Sequence, residues 1–147
     1  MIIGRSADYA LRALIYLSQQ ARGQPVPLEQ IAQAQRIPAA LLSKILQTLV
    51  KAGVLRSHKG YGGGFVLVAD PAELSLADVI QAIDGPFTVF ECLRDDTICH
   101  LCENCALRSK FQELQDAMLE MLRRTTLAEC VAPDPDQEPR PVRLAER

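Results

Sequence analysis

The sequence predicts a mainly α-helical fold with a small β-hairpin, a winged helix-turn-helix followed by a long dimerisation helix. Three observations predict it. A short helical segment, a tight turn and a longer helical segment stand in succession within residues 28–52. Two β-type runs flank a glycine-rich heptapeptide directly afterwards. An apolar seam spaced 4, 3, 4, 3 then runs through the last third of the chain. At 147 residues, 48% hydrophobic and 23% charged, the chain suits one domain, or one small domain with an appendage.

The elements follow in order. Ser6 is placed to cap a helix running to about Arg22, with Leu11, Leu14, Ile15 and Leu17 on one face and Gly23 as its stop. Gly23–Pro27 reads as a turn, Leu28–Gln35 as a short helix, and Arg36-Ile37-Pro38 as a tight connection. The next helix spans about Ala39–Ala52 and ends at Gly53. Leu42, Ile45, Leu46, Leu49 and Val50 mark its buried stripe. Val54–Ser57 and Phe65–Val68 read as strands, with His58-Lys59-Gly60-Tyr61-Gly62-Gly63-Gly64 as the hairpin tip. Ser75-Leu76-Ala77-Asp78 resembles a capping box and opens a helix to about Asp84, which Gly85-Pro86 ends. A long helix is expected from about Asn104 to Thr126. Its seam of Leu107, Phe111, Leu114, Met118 and Met121 suits pairing with a second copy. Beyond Cys130 four prolines among charges predict disorder. The expected organisation is therefore 1–85 for the winged helix-turn-helix, 86–106 for a cysteine-rich loop, 107–130 for the dimerisation helix and 131–147 for the tail.

Charge is divided unevenly. Residues 1–68 hold eight Lys/Arg against Asp8 and Glu29, whereas the remainder holds eight against sixteen acidic residues. A basic first half joined to an acidic second half points to a polyanionic partner for the first alone. No apolar run approaches the roughly 18 residues of a membrane span. Met1–Ser6 is too short for a secretory signal, so a cytoplasmic protein is expected. Neither a carboxylate pair nor a Ser/His/Asp arrangement suggests an enzyme.

In a winged helix-turn-helix the second helix of the pair enters the major groove of double-stranded DNA. With Leu42, Ile45, Leu46 and Leu49 inward, the opposite face presents Ala39, Ala40, Ser43, Lys44, Gln47 and Lys51. The small residues permit close approach. Ser43, Lys44 and Gln47 suit base edges, and Lys51, further back, suits phosphate. At the wing tip, Lys59 and Tyr61 are carried on a glycine frame.

Four cysteines occupy fourteen residues as Cys92-x6-Cys99-x2-Cys102-x2-Cys105, and the fifth is Cys130. Thiols at this density bind zinc or an iron–sulfur cluster, or form disulfides. A reducing cytosol and an odd count disfavour disulfides. Structural zinc usually uses two Cys-x2-Cys knuckles, whereas Cys92 stands alone. Cys99-x2-Cys102-x2-Cys105 also resembles a ferredoxin-type ligand run that Cys92 can close. Cys102 as a reactive, solvent-facing thiol is the other reading.

Ser6-Ala7-Asp8-Tyr9-Ala10-Leu11-Arg12-Ala13-Leu14, Val26-Pro27-Leu28-Glu29-Gln30-Ile31-Ala32, and Leu49-Val50-Lys51-Ala52-Gly53-Val54-Leu55 followed by Gly60-Tyr61-Gly62-Gly63-Gly64-Phe65 are similar to the bacterial winged-helix regulators typified by IscR, NsrR and RirA. The resemblance covers about residues 1–130. It implies a homodimer on a partly palindromic operator and, in cluster-binding members, three cysteines ahead of the long helix; Cys92, Cys99 and Cys105 match them. IscR-like proteins place a histidine three residues past the last cysteine, where this chain has Arg108. NsrR-like proteins complete a 4Fe–4S cluster with an aspartate of the partner subunit, and Asp8 matches that position. A 4Fe–4S cluster is accordingly expected over 2Fe–2S. The expectation is a dimeric regulator whose operator affinity an iron–sulfur cluster controls. The alternatives are a structural zinc site, a thiol-based redox regulator and a small electron-transfer protein.

Overall fold

The computed structural model describes residues 4–131, the side chain of Glu103 excepted. Helix α1 spans Arg5–Ser18 and buries Ala7, Ala10, Ala13, Leu14 and Leu17. Three alanines on that face let neighbouring helices approach closely. Ser6 lies inside the helix rather than capping it: Gly4 is the N-cap, and its N–H donates to the Asp84 carboxylate at 3.0 Å. One donor at the start of the helix is thus satisfied from across the fold. The helix also stops a turn earlier than expected, since Gln19, Gln20 and Arg22 extend no apolar stripe that packing would hold helical.

Helix α2 covers Leu28–Gln35, and Arg36 ends it in the left-handed conformation at φ 53°. The Arg12 guanidinium donates to the Gln35 carbonyl, tying α1 to this turn. Helix α3, Ala39–Lys51, buries Leu42, Ile45, Leu46 and Leu49, while Val50 stays partly exposed. Gly53, at φ 77°, follows it.

Strands β1 (Leu55–His58) and β2 (Gly64–Leu67) pair antiparallel, Leu55 facing Leu67 and His58 facing Gly64. Each strand lies one residue nearer the tip than expected, and the tip shortens to residues 59–63. Phe65 exchanges backbone hydrogen bonds of 3.0 and 2.9 Å with Val26, which anchors the wing to the segment before α2. A Cβ on Gly64 would lie 2.2 Å from the Val26 carbonyl oxygen, so the close approach needs glycine there.

Helix α4, Leu76–Asp84, opens with a complete capping box: Ser75 Oγ accepts from the Asp78 N–H, and Asp78 accepts from the Ser75 N–H, each at 3.1 Å. Ser75→Ala is expected to cost about 1 kcal/mol of stability, read by urea denaturation. A short helix α5 (Glu91–Arg94) and a 3-10 turn (Cys102–Asn104) follow, neither expected from sequence. Helix α6 spans Ala106–Arg124.

After α6 the chain turns back. The Leu127 N–H donates to the Leu74 carbonyl at 2.8 Å, and its side chain is fully buried in the main core with Leu14, Ile31, Leu42, Leu46, Leu49 and Val79. A 3-10 turn, Ala128–Cys130, packs beside it. A second cluster joins Ala7, Ile80 and Phe87 to Leu119 and Leu122 of α6. Among the described residues no helix is long and apolar enough to cross a membrane. The tail expected to be disordered lies, from residue 132, outside the described residues.

Candidate functional site

Two surfaces carry the chemistry. On α3, Ala39, Ala40, Lys44, Gln47 and Lys51 are exposed, and Ser43 is half-buried. Burying the apolar stripe of α3 in the core forces this polar face outward. Beyond it, Lys59 is exposed and Tyr61 stands wholly free at the wing tip, on a turn closed by the Gly63 N–H donating to the Gly60 carbonyl at 3.0 Å. Two further exposed cations escaped the sequence reading. Arg36 sits at the turn just ahead of α3, and Arg56 points outward from β1. Strand alternation after buried Leu55 was the signal for Arg56. Among the described residues, Arg36, Lys44, Lys51, Arg56 and Lys59 make no ion pair, so their charge is available to phosphate.

The second surface is the cysteine segment. Cys92 lies on α5, Cys99 in a loop, Cys102 at the start of the 3-10 turn, and Cys105 at the N-cap of α6. All are free thiols, with Cys102 buried and the other three half-buried. Three ties fasten the segment to one stripe of α6. Phe90 stacks on Phe111 with ring centroids 4.1 Å apart, Gln115 accepts from the Val89 N–H at 2.9 Å, and Arg108 pairs with Asp96. Phe111 therefore leaves the seam expected on α6. What remains outward is Leu107, Leu114, Met118 and Met121, 46–70% exposed and aligned along the helix.

The Cys102 N–H donates to the Cys99 carbonyl at 3.1 Å. Burial pushes the Cys102 thiol up from its ordinary range and the charges of Cys99 and Cys92 add to that, while Arg108 opposes it. Among the described residues no three His, Cys, Asp or Glu side chains converge on one metal ion, so neither a closed zinc tetrahedron nor a three-thiol cluster site stands preformed. The donor set, four soft thiols within fourteen residues, fits an iron–sulfur cluster or zinc by its chemistry. Asp8 is exposed on α1 and pairs with Arg12 at 3.6 Å, and Arg12 also lies over the Tyr9 ring. His100 is exposed, whereas Cys130 lies half-buried after α6 with its thiol raised by burial.

Residues 3–133 match the family described as Rrf2, iron-dependent transcriptional regulator. The HTH-type transcriptional regulator NsrR of Shouchella clausii is 30% identical over 130 residues, 88% of this chain and 87% of its own length. The structure of CymR, the global cysteine regulator of B. subtilis, superposes with a TM-score of 0.73 at 27% identity, covering 89% of this chain and 96% of that one. IscR of T. potens shares the fold, with a TM-score of 0.71 at 23% identity over 89% of this chain and 86% of its own.

Proposed function

The chain belongs to the Rrf2 family of transcription regulators, it is a DNA-binding regulator and not an enzyme, and we propose that its operator affinity is set by an iron–sulfur cluster held in the cysteine segment of a homodimer. One observation carries this reading: the four-thiol segment is fastened to the base of the same helix that, among the described residues, leaves an apolar stripe exposed.

Cys92, Cys99 and Cys105 would hold the cluster, with Cys102 or the partner subunit's Asp8 as fourth ligand. Arg108 stands where an imidazole ligand would be needed for the IscR arrangement, which favours 4Fe–4S over 2Fe–2S. When bound, the cluster supplies iron and sulfide that respond to redox and small reactive molecules. The protein's own residues do the rest. Phe111, Gln115 and Arg108 pass the state of the segment to α6. Leu107, Leu114, Met118 and Met121 pair α6 with its copy, and Leu119 and Leu122 connect α6 to the second cluster beneath α4 and α1. Two α3 helices must meet half-sites about 34–36 Å apart on a partly palindromic operator, so a small change in their separation alters affinity steeply.

The DNA face divides by role. Lys59→Ala is expected to weaken binding to all sequences alike and to reduce the slope of log affinity against log salt by about one. Gln47→Ala is expected to cost about 1–3 kcal/mol at the operator alone and leave that slope in place. Gel-shift titrations at several salt concentrations separate the two, and equal losses on operator and unrelated DNA for Gln47→Ala would remove its base-reading role. Anaerobic purification with visible absorption, iron and sulfide analysis tests the cluster, and sedimentation tests the dimer. A thiol-based switch is the second reading, supported by the likeness to CymR, the global cysteine regulator; burial and a raised thiol count against Cys102 as its reactive sulfur and leave half-buried Cys99 or Cys105. Colourless, iron-free protein whose DNA binding follows reversible thiol oxidation would establish that reading in place of the cluster.

A further inference from the structure

Arg108 occupies the first turn of α6, where a cation opposes the helix dipole. Local helix chemistry therefore does not explain it. Its guanidinium reaches back across the cysteine segment to Asp96, between Cys92 and Cys99. Asp96 is presented by a small self-bonded turn, in which the Thr97 N–H and hydroxyl donate to Asp95 Oδ1 at 2.9 and 2.6 Å. Arg108 is only 30% exposed while Asp96 is 73% exposed, so the pair seats the arginine beneath the loop rather than in solvent. Arg108 lies three residues past Cys105 and its partner Asp96 lies between Cys92 and Cys99, so the ion pair spans the stretch of chain that carries these thiols.

We propose that Arg108 is the positioning residue of the cysteine segment: through Asp96 it pins the segment to the first turn of α6, and it holds a fixed positive charge against that segment. The tether is independent of any bound group. The charge role rests on the cluster reading above, since an assembly of anionic thiolates and sulfide is stabilised by a neighbouring cation most strongly in its reduced, more negative state.

The test uses the full chain with Arg108→Ala, Arg108→Lys, Asp96→Asn and the charge exchange Asp96→Arg/Arg108→Asp. In reduced, metal-free protein, amide hydrogen exchange over residues 95–101 is expected to quicken about two- to five-fold in Arg108→Ala and Asp96→Asn. Exchange in α2 and α3 should not change, and the charge exchange should restore protection. After reconstitution with iron and sulfide, the midpoint potential is expected to fall in Arg108→Ala, hold in Arg108→Lys, and fall furthest in the charge exchange. That variant separates the two roles, because a purely structural residue would recover both readouts together. Unchanged exchange in both Arg108→Ala and Asp96→Asn overturns the tether. A charge-exchanged protein with the native potential overturns the charge role. Wild-type protein that takes up neither iron nor sulfide ends the cluster reading and the charge role together, and the exchange data still decide the tether.

Discussion

In the double variant Cys99→Ala, Cys105→Ala, operator affinity is expected to become the same with and without iron and sulfide reconstitution. In the wild-type protein the two conditions should differ by about 5- to 150-fold, the usual range for coupling between two sites. The reason is geometric. Cys105 is the N-cap of α6 and Cys99 sits in the loop before it, so any group both thiols hold bridges the loop to the long helix. Removing both sulfurs leaves the Phe90–Phe111 stack and the Gln115 contact intact, so the helix should still form. Cys130→Ala is the control. Its thiol lies in the 3-10 turn after α6, at the far end of that helix from the segment, and the response to reconstitution should survive its loss. Gel shifts under anaerobic conditions read both variants. A wild-type-sized response in the double variant would refute the proposed control of DNA binding.

Leu127→Ala is expected to destabilise the protein by about 2–5 kcal/mol, a loss visible as a lower urea midpoint. Leu127 is fully buried, and it lies in the same cluster as Leu14 of α1 and Leu42, Leu46 and Leu49 of α3. The cavity left behind would open in the core that α1 and α3 share. Its N–H to the Leu74 carbonyl and the Leu76 N–H to the Thr125 carbonyl, at 2.8 and 2.9 Å, hold the backbone in place. The void therefore cannot close by simple withdrawal of the segment. An effect below 1 kcal/mol would mean that the residues after α6 contribute little to the core.

The DNA-reading half was legible because its information is local. Leu28–Gln35 needed only its period and its turn residues, and the stripe Leu42, Ile45, Leu46, Leu49 named both the buried and the outward face of α3. The capping box at Ser75 was equally self-contained. Errors began where a distant group took over. Ser6 looked like a cap, yet Gly4 holds that place and Asp84, eighty residues on from Gly4, supplies the acceptor at the start of α1. Phe111 belonged to the seam by spacing, yet it stacks on Phe90 and leaves Leu107, Leu114, Met118 and Met121 as the outward stripe. Arg108 read as a missing ligand and stands as the partner of Asp96.

By itself the sequence determined the helix-turn-helix, the wing, the basic face and the thiol-rich segment, since hydrophobic period, glycine placement and residue chemistry act over a few neighbours. Tertiary structure alone decided that the chain returns after α6 to bury Leu127, that α1 is capped from α4, and which stripe of α6 grips the cysteine segment. Those contacts join residues far apart along the chain, and their partners are selected by packing in space, which no short window of sequence contains.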